Sequence, residues 1–298
     1  MADAADPSPS RPHPALLAAG FLFPLDRLRQ PDSPLWRSAG RWFVLWGFLI
    51  GLAYVVVFRV TWRWFGEYQN VRWLPAAAVL VVDLGFCGQR MLASVTRLRT
   101  RSSPETTGNS DALTLGSFLA VLLVTITKYA MLLSLPEGEV LKASPSMDWY
   151  LPSHVRWLCP DLVVYRPLML MPIWGRWALG LAASIGRISP SEPDRIRQMA
   201  AGLPLRTIFA QWVGITFVTM AYCALVISFG NVFIPSGRML AYGLVISIAV
   251  MLCSYLASFL LARLRDGQTE SSVLVVGMTA ELTFLTFYLH MADLIYWA

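Results

Sequence analysis

Four ionisable residues stand inside long apolar runs of this sequence: Asp83 in AAAVLVVDLGFCG, Lys128 in LLVTITKYAM, Arg176 in GRWALGLAAS and Glu281 in GMTAELTFL. A charge in hydrocarbon is costly, so each of these needs a partner or a task. Asp83, near the end of its run and just before Gly85 and Gly88, has two readings. It holds a Mg²⁺ that bridges phosphates, or it is a hydrated carboxylate close to the interface. Lys128 reads as a side chain that snorkels toward headgroups. Arg176 lies too deep for that, and its planar fork suits a phosphate-bearing substrate through paired hydrogen bonds. Glu281 offers Arg176 a buried, structural ion pair as the alternative.

Other chemistries find little support. Cys87, Cys159, Cys223 and Cys253 are widely spaced, and His13, His154 and His290 are equally scattered. Neither a zinc site nor a disulfide framework follows from such spacing. Of the 298 residues, 56% are hydrophobic and 14% charged, against roughly 25% charged in ordinary soluble domains. The net charge of +6 comes from arginines placed singly or in small groups between apolar runs. That placement fits cytoplasmic loops beside anionic headgroups and excludes nucleic acid as the expected partner.

The elements that must position these residues are membrane helices. A span takes about 20 largely apolar residues, and the candidates are Trp42–Phe58, Trp73–Gly88, Leu113–Leu135, Leu162–Ile185, Ile208–Phe229, Met239–Leu261 and Ser272–Ile295. The fold class is therefore all-α, a polytopic transmembrane helical bundle of about seven spans with the lipid bilayer as solvent. The fourth run is interrupted by Arg166, Pro167, Pro172 and Arg176. Residues 1–40 read as a disordered cytoplasmic tail and 41–298 as one transmembrane domain, with an extracytoplasmic insertion at 136–166. With the N-terminus inside, the tail through Arg41 and the loops 89–111, 186–207 and 263–271 carry about 15 Arg and Lys, against about 7 in 59–72, 136–166 and 230–238. That asymmetry points to a bacterial-type inner membrane protein with a cytoplasmic N-terminus and an external C-terminus.

Several segments, in order, resemble the adenosylcobinamide-GDP ribazoletransferases, the cobalamin synthases. FLFPLDR followed by RWFVLWGFLIGLAYVVVF is similar to that family's opening segment and first helix. VVDLGFCGQRMLASV stands in the place of its H-L-D-G-x-x-D-x-x-D-G motif. LGSFLAVLLVTITKYAML resembles the next helix, with Lys128 in the lysine position. GRWALGLAA resembles the segment carrying an intramembrane arginine. LLARLRDGQTESSVLVVGMTAELTFL parallels the family's "RR-x-GG-x-TGD-x-x-G-A-x-x-E-x-x-E" ending, with Arg263, Gly267, Gln268, Thr269 and Glu281 in register. The likeness covers roughly residues 18–290.

The resemblance implies Mg²⁺-dependent joining of α-ribazole, or its 5′-phosphate, to adenosylcobinamide-GDP with release of GMP at the cytoplasmic face. It makes Asp83 the metal ligand and a catalytic residue. Asp111 and Glu270 are the substitutes for missing carboxylates, and Arg176, Lys128, Arg263, Gln268 and Thr269 bind substrate. The sequence also departs from the pattern. Cys87 and Arg90 replace the second and third aspartates, Val81 or Val82 stands at the histidine, and Thr269-Glu270-Ser271 replaces TGD. Those departures set a second expectation beside the first: a non-catalytic relative kept as a scaffold or membrane-protein partner. A small-molecule transporter is a third.

Overall fold

In the computed structural model the described residues are 13–23, 35–66, 71, 73–100, 115–135, 164–190, 192–225 and 237–296. Among them the chain is helical, with one isolated bridge between Ile188 and Gln268. The helices are α1 (Pro14–Leu22), α2 (Trp36–Ala39), α3 (Phe43–Thr61), α4 (Trp73–Asp83), α5 (Gln89–Thr100), α6 (Leu115–Leu133), α7 (Tyr165–Ser184), α8 (Asp194–Ala201), α9 (Leu205–Leu225), α10 (Gly237–Leu264) and α11 (Glu270–Tyr296). Each of the seven apolar runs overlaps one of the helices α3, α4, α6, α7, α9, α10 and α11, and the run Trp73–Gly88 leaves the α-helix after Asp83.

Four stretches are long and apolar enough to cross a membrane: Trp36–Phe65, Leu115–Leu133, Leu240–Leu264 and Glu270–Met291. A fifth is a broken pair, Trp73–Phe86 with Arg90–Thr96, bent by 73°. Helices α7 and α9 fall outside that set. The reason in α7 is composition, because Arg166, Pro167, Pro172 and Arg176 dilute its apolar character.

That same helix is the centre of the molecule. Every residue from Tyr165 to Ala183 is buried, and α3, α9, α10 and α11 all pack on it. Close approach of α3 depends on Gly47 and Gly51, spaced for one helix face. A Cβ on Gly47 would lie 2.7 Å from the Pro172 carbonyl oxygen, and one on Gly51 would lie 2.5 Å from that of Met169. Only a small residue lets two backbones meet this closely. On the other side, the indoles of Trp174 and Trp177 donate to Thr219 Oγ1 (3.2 Å) and the Ile208 carbonyl (3.0 Å) of α9. The outer faces of α6, α9 and α10 expose Leu122, Phe217 and Leu256 among other large apolar side chains, as a lipid-facing surface does.

Two expectations need correction. The tail is not wholly irregular: Pro14–Leu22 is a helix, with Leu17–Leu22 buried. His13 caps it through Nδ1, which accepts from the Ala15 amide at 3.2 Å, and Pro14 supplies the fixed φ favoured at a first helical position. The loops expected at 89–111 and 186–207 likewise begin as or contain helices, α5 and α8. Both are polar and amphipathic, so apolar run length did not find them. Residues 1–12, 101–114 and 136–163 lie outside the described residues, which includes Asp111 and nearly all of the expected insertion.

Candidate functional site

The four charges read from the apolar runs converge. Asp83 ends α4, Lys128 lies on α6, Arg176 on α7 and Glu281 on α11. The Lys128 ammonium donates to Asp83 Oδ2 at 2.7 Å and to Glu281 Oε2 at 2.6 Å. Arg176 donates to the other Glu281 oxygen, and the Tyr54 hydroxyl of α3 donates to Asp83 Oδ1. All five residues are at most 5% exposed. The formal charges alternate along the chain Asp83, Lys128, Glu281, Arg176 and sum to zero. Among the described residues, five helices thus meet at one network whose four formal charges cancel, which makes buried charge tolerable.

Local sequence explains how each group arrives. Gly175 precedes Arg176, and a Cβ there would fall 2.5 Å from Glu281 Oε1, so glycine makes room for the carboxylate. At Asp83 the α-helix gives way to a π-helical turn, Leu84–Gly88, before α5 departs. Such turns widen a helix locally and often mark functional positions. Beside the turn lies a cavity of about 20 Å³ lined by Asp83, Leu84, Gly88, Thr125, Lys128 and Met278, among others. One water fits such a volume.

Lys128 therefore does not snorkel; a partner on either side holds it inside the bundle. The Arg176–Glu281 pair is present as the structural alternative required.

Glu270 belongs to a different place. It opens α11, eleven residues before Glu281 on the same helix, or about 16 Å along the axis at 1.5 Å per residue. Its two oxygens accept from Arg90 Nη2 (2.8 Å) and Arg195 Nη2 (2.7 Å), while its own amide donates to Glu192 Oε2 at 3.2 Å. Arg90 also donates to the Phe21 carbonyl and, at 3.3 Å, to that of Gly20. This outer cluster ties α1, α5, α8 and α11 together. It also brings the start of segment 89–111 against the end of segment 263–271.

Gln268 and Thr269 are engaged in the fold itself. The Gln268 side chain is fully buried; its amide donates to the Ser258 carbonyl (2.8 Å) and hydroxyl (2.7 Å), and its oxygen accepts from Ser272 Oγ at 2.6 Å. Thr269 caps α11: its Oγ1 accepts from the Ser272 amide (3.1 Å) while Ser272 Oγ accepts from the Thr269 amide (2.8 Å). That is a reciprocal capping box. Arg263 is exposed on the last turn of α10.

A Mg²⁺ ion asks for oxygens at about 2.1 Å in near-octahedral array. Among the described residues no three of His, Cys, Asp and Glu converge in a way that could hold a metal. Both oxygens of Asp83 and both of Glu281 already accept from cations or a hydroxyl, and Glu270 is too far along its helix to join them. The described donor set does not fit the ion. The residues that sequence reasoning missed are Tyr54 and Arg195. Tyr54 had a signal, being the lone hydroxyl between Trp42 and Phe58 and on the face of Gly47, Gly51 and Phe58.

No family model matches the chain, and no curated protein or solved structure is detectably similar to it.

Proposed function

We propose that this chain is a non-catalytic relative of the ribazoletransferase bundle, kept in a bacterial-type inner membrane as a scaffold or partner for another membrane component. In this reading all seven long helices span the bilayer and the N-terminus is cytoplasmic. The observation that carries it is the occupancy of the carboxylates. Asp83 accepts from Tyr54 and Lys128, and Glu270 accepts from Arg90 and Arg195, so the groups that would hold Mg²⁺ are spent on the protein's own cations. In this reading the buried pairs serve to fix helix register, the use best attested for buried polar groups.

The test is direct. Purified chain in detergent or liposomes, given Mg²⁺, adenosylcobinamide-GDP and α-ribazole or its 5′-phosphate, is expected to release no GMP above background. Release of GMP that disappears in Asp83→Ala would reject the reading.

A second reading, a working Mg²⁺-dependent transferase, is favoured by one observation. The Arg90–Glu270 contact joins two of the segments that carry the family likeness. In that reading Asp83 is the metal ligand, and Asp111 and Glu270 are the substitutes for the missing carboxylates.

A further inference from the structure

We propose that Asp83 and Glu281 form a built-in seat for a primary ammonium ion, that Lys128 is its resident cation, and that this fixed charge does the helix-joining work a divalent metal would otherwise do. The proposal rests on the reading above that the carboxylates no longer serve a metal.

Three features carry it. The first is distance: 2.7 and 2.6 Å from Nζ to the two carboxylates are lengths of charge-assisted N–H···O bonds, whereas Mg²⁺ would need its oxygens near 2.1 Å. The second is charge. With Lys128 in place, the two carboxylates are balanced by Lys128 and Arg176, and Tyr54 adds a neutral hydroxyl. A divalent ion added to this set would leave two positive charges uncompensated inside the bundle, where burial penalises them heavily. The third is space. The cavity beside the π-helical turn is lined by Lys128, Thr125 and Asp83, so it adjoins the volume that a shortened lysine stem would vacate.

Lysine suits the seat better than a free ion. Its three donors are rotatable, which lets one ammonium serve carboxylates from α4 and α11 while its own backbone is fixed on α6. The seat therefore brings three helices together without binding anything from solution.

Truncating Lys128 to alanine removes a fragment the size of n-propylammonium and leaves the seat empty. The experiment is thermal unfolding of the full chain in detergent micelles. The wild-type midpoint is expected to be the same in EDTA and in millimolar MgCl₂. Lys128→Ala is expected to unfold at a markedly lower temperature, and n-propylammonium chloride to raise that midpoint in a concentration-dependent way. NaCl and tetramethylammonium chloride at the same ionic strength, which lack N–H donors, are expected to leave it where it is. Should Lys128→Ala not yield folded protein, the Lys128→Ala/Asp83→Asn chain, neutral again through Glu281 and Arg176, is expected to fold.

A wild-type midpoint raised by Mg²⁺ would overturn the proposal. So would a Lys128→Ala midpoint equal to wild type, rescue by Mg²⁺ as good as by propylammonium, or failure of the double variant to fold where the single one fails. The outcomes separate the two readings. Amine rescue with GMP release would leave the seat standing and remove the non-catalytic assignment; no rescue and no GMP release would do the reverse.

Discussion

Arg176→Met is the perturbation that isolates the charge balance of the bundle. Arg176 is fully buried on the central helix α7 and pairs with Glu281. Methionine keeps an apolar stem of similar reach, so the packing loss is small, about 1 kcal/mol. What remains is a network in which Glu281 and Asp83 share Lys128 alone, one negative charge in excess. Removing one partner of a buried pair costs about 3–5 kcal/mol. At roughly 2–4 °C per kcal/mol for a chain of this size, the unfolding midpoint should fall by about 6–20 °C. Loss of helical circular dichroism on heating in detergent measures it. The control is Arg176→Met/Asp83→Asn, which restores neutrality through Lys128 and Glu281. Residues in one network couple by about 0.5–3 kcal/mol, so the double variant should lose less than the two single losses added. A single-variant cost under about 1 kcal/mol, the scale of an exposed pair, would refute the reasoning. Strict additivity in the cycle would refute it equally.

Two further outcomes follow from the packing. Gly51→Ala puts a Cβ against the Met169 carbonyl, a backbone atom that cannot turn aside, and should cost about 1–3 kcal/mol as overpacking. Gly214→Ala on α9, where nothing lies within 4 Å, should be neutral or stabilising by about 0.5–1 kcal/mol; the same melting experiment compares them. Gln268→Leu removes the buried donor to the Ser258 carbonyl and hydroxyl and should cost about 1–3 kcal/mol. If Gln268 instead contacts a substrate, its replacement would change nucleotide binding by calorimetry with the midpoint unmoved.

Much of this architecture is legible from hydropathy because lipid imposes one rule, that a span satisfies its own backbone. Each of the seven apolar runs contains a helix, and four stretches and one bent pair are long and apolar enough for a span. Hydropathy reports lipid contact, however, and not helicity. It passes over α1, which is apolar but only nine residues long, and the polar, amphipathic α5 and α8, and runs Trp73–Gly88 through the break at Leu84 without registering it. The inner charges were visible as exceptions to apolarity, and the Arg176–Glu281 pair could be matched from their signs alone. Lys128 could not. Whether a lysine snorkels or turns inward depends on which way α6 faces, and that is decided by Asp83 and Glu281 on helices 45 and 153 residues away in sequence. Glu270 is a related case. Its position beside a threonine resembles a metal-motif ending, while the arginines that hold it, Arg90 and Arg195, come from α5 and α8 and could not be matched to it from sequence.

The central claim is that a lysine, and no metal, sits between Asp83 and Glu281. An experimental structure of the full chain in lipid, determined in millimolar Mg²⁺ at a resolution that separates an ammonium from an ion, tests it most directly. The prediction is Lys128 Nζ in contact with both carboxylates, near the 2.7 and 2.6 Å found here. Density for an octahedral ion at about 2.1 Å from Asp83, with Lys128 swung out of the seat, would contradict it.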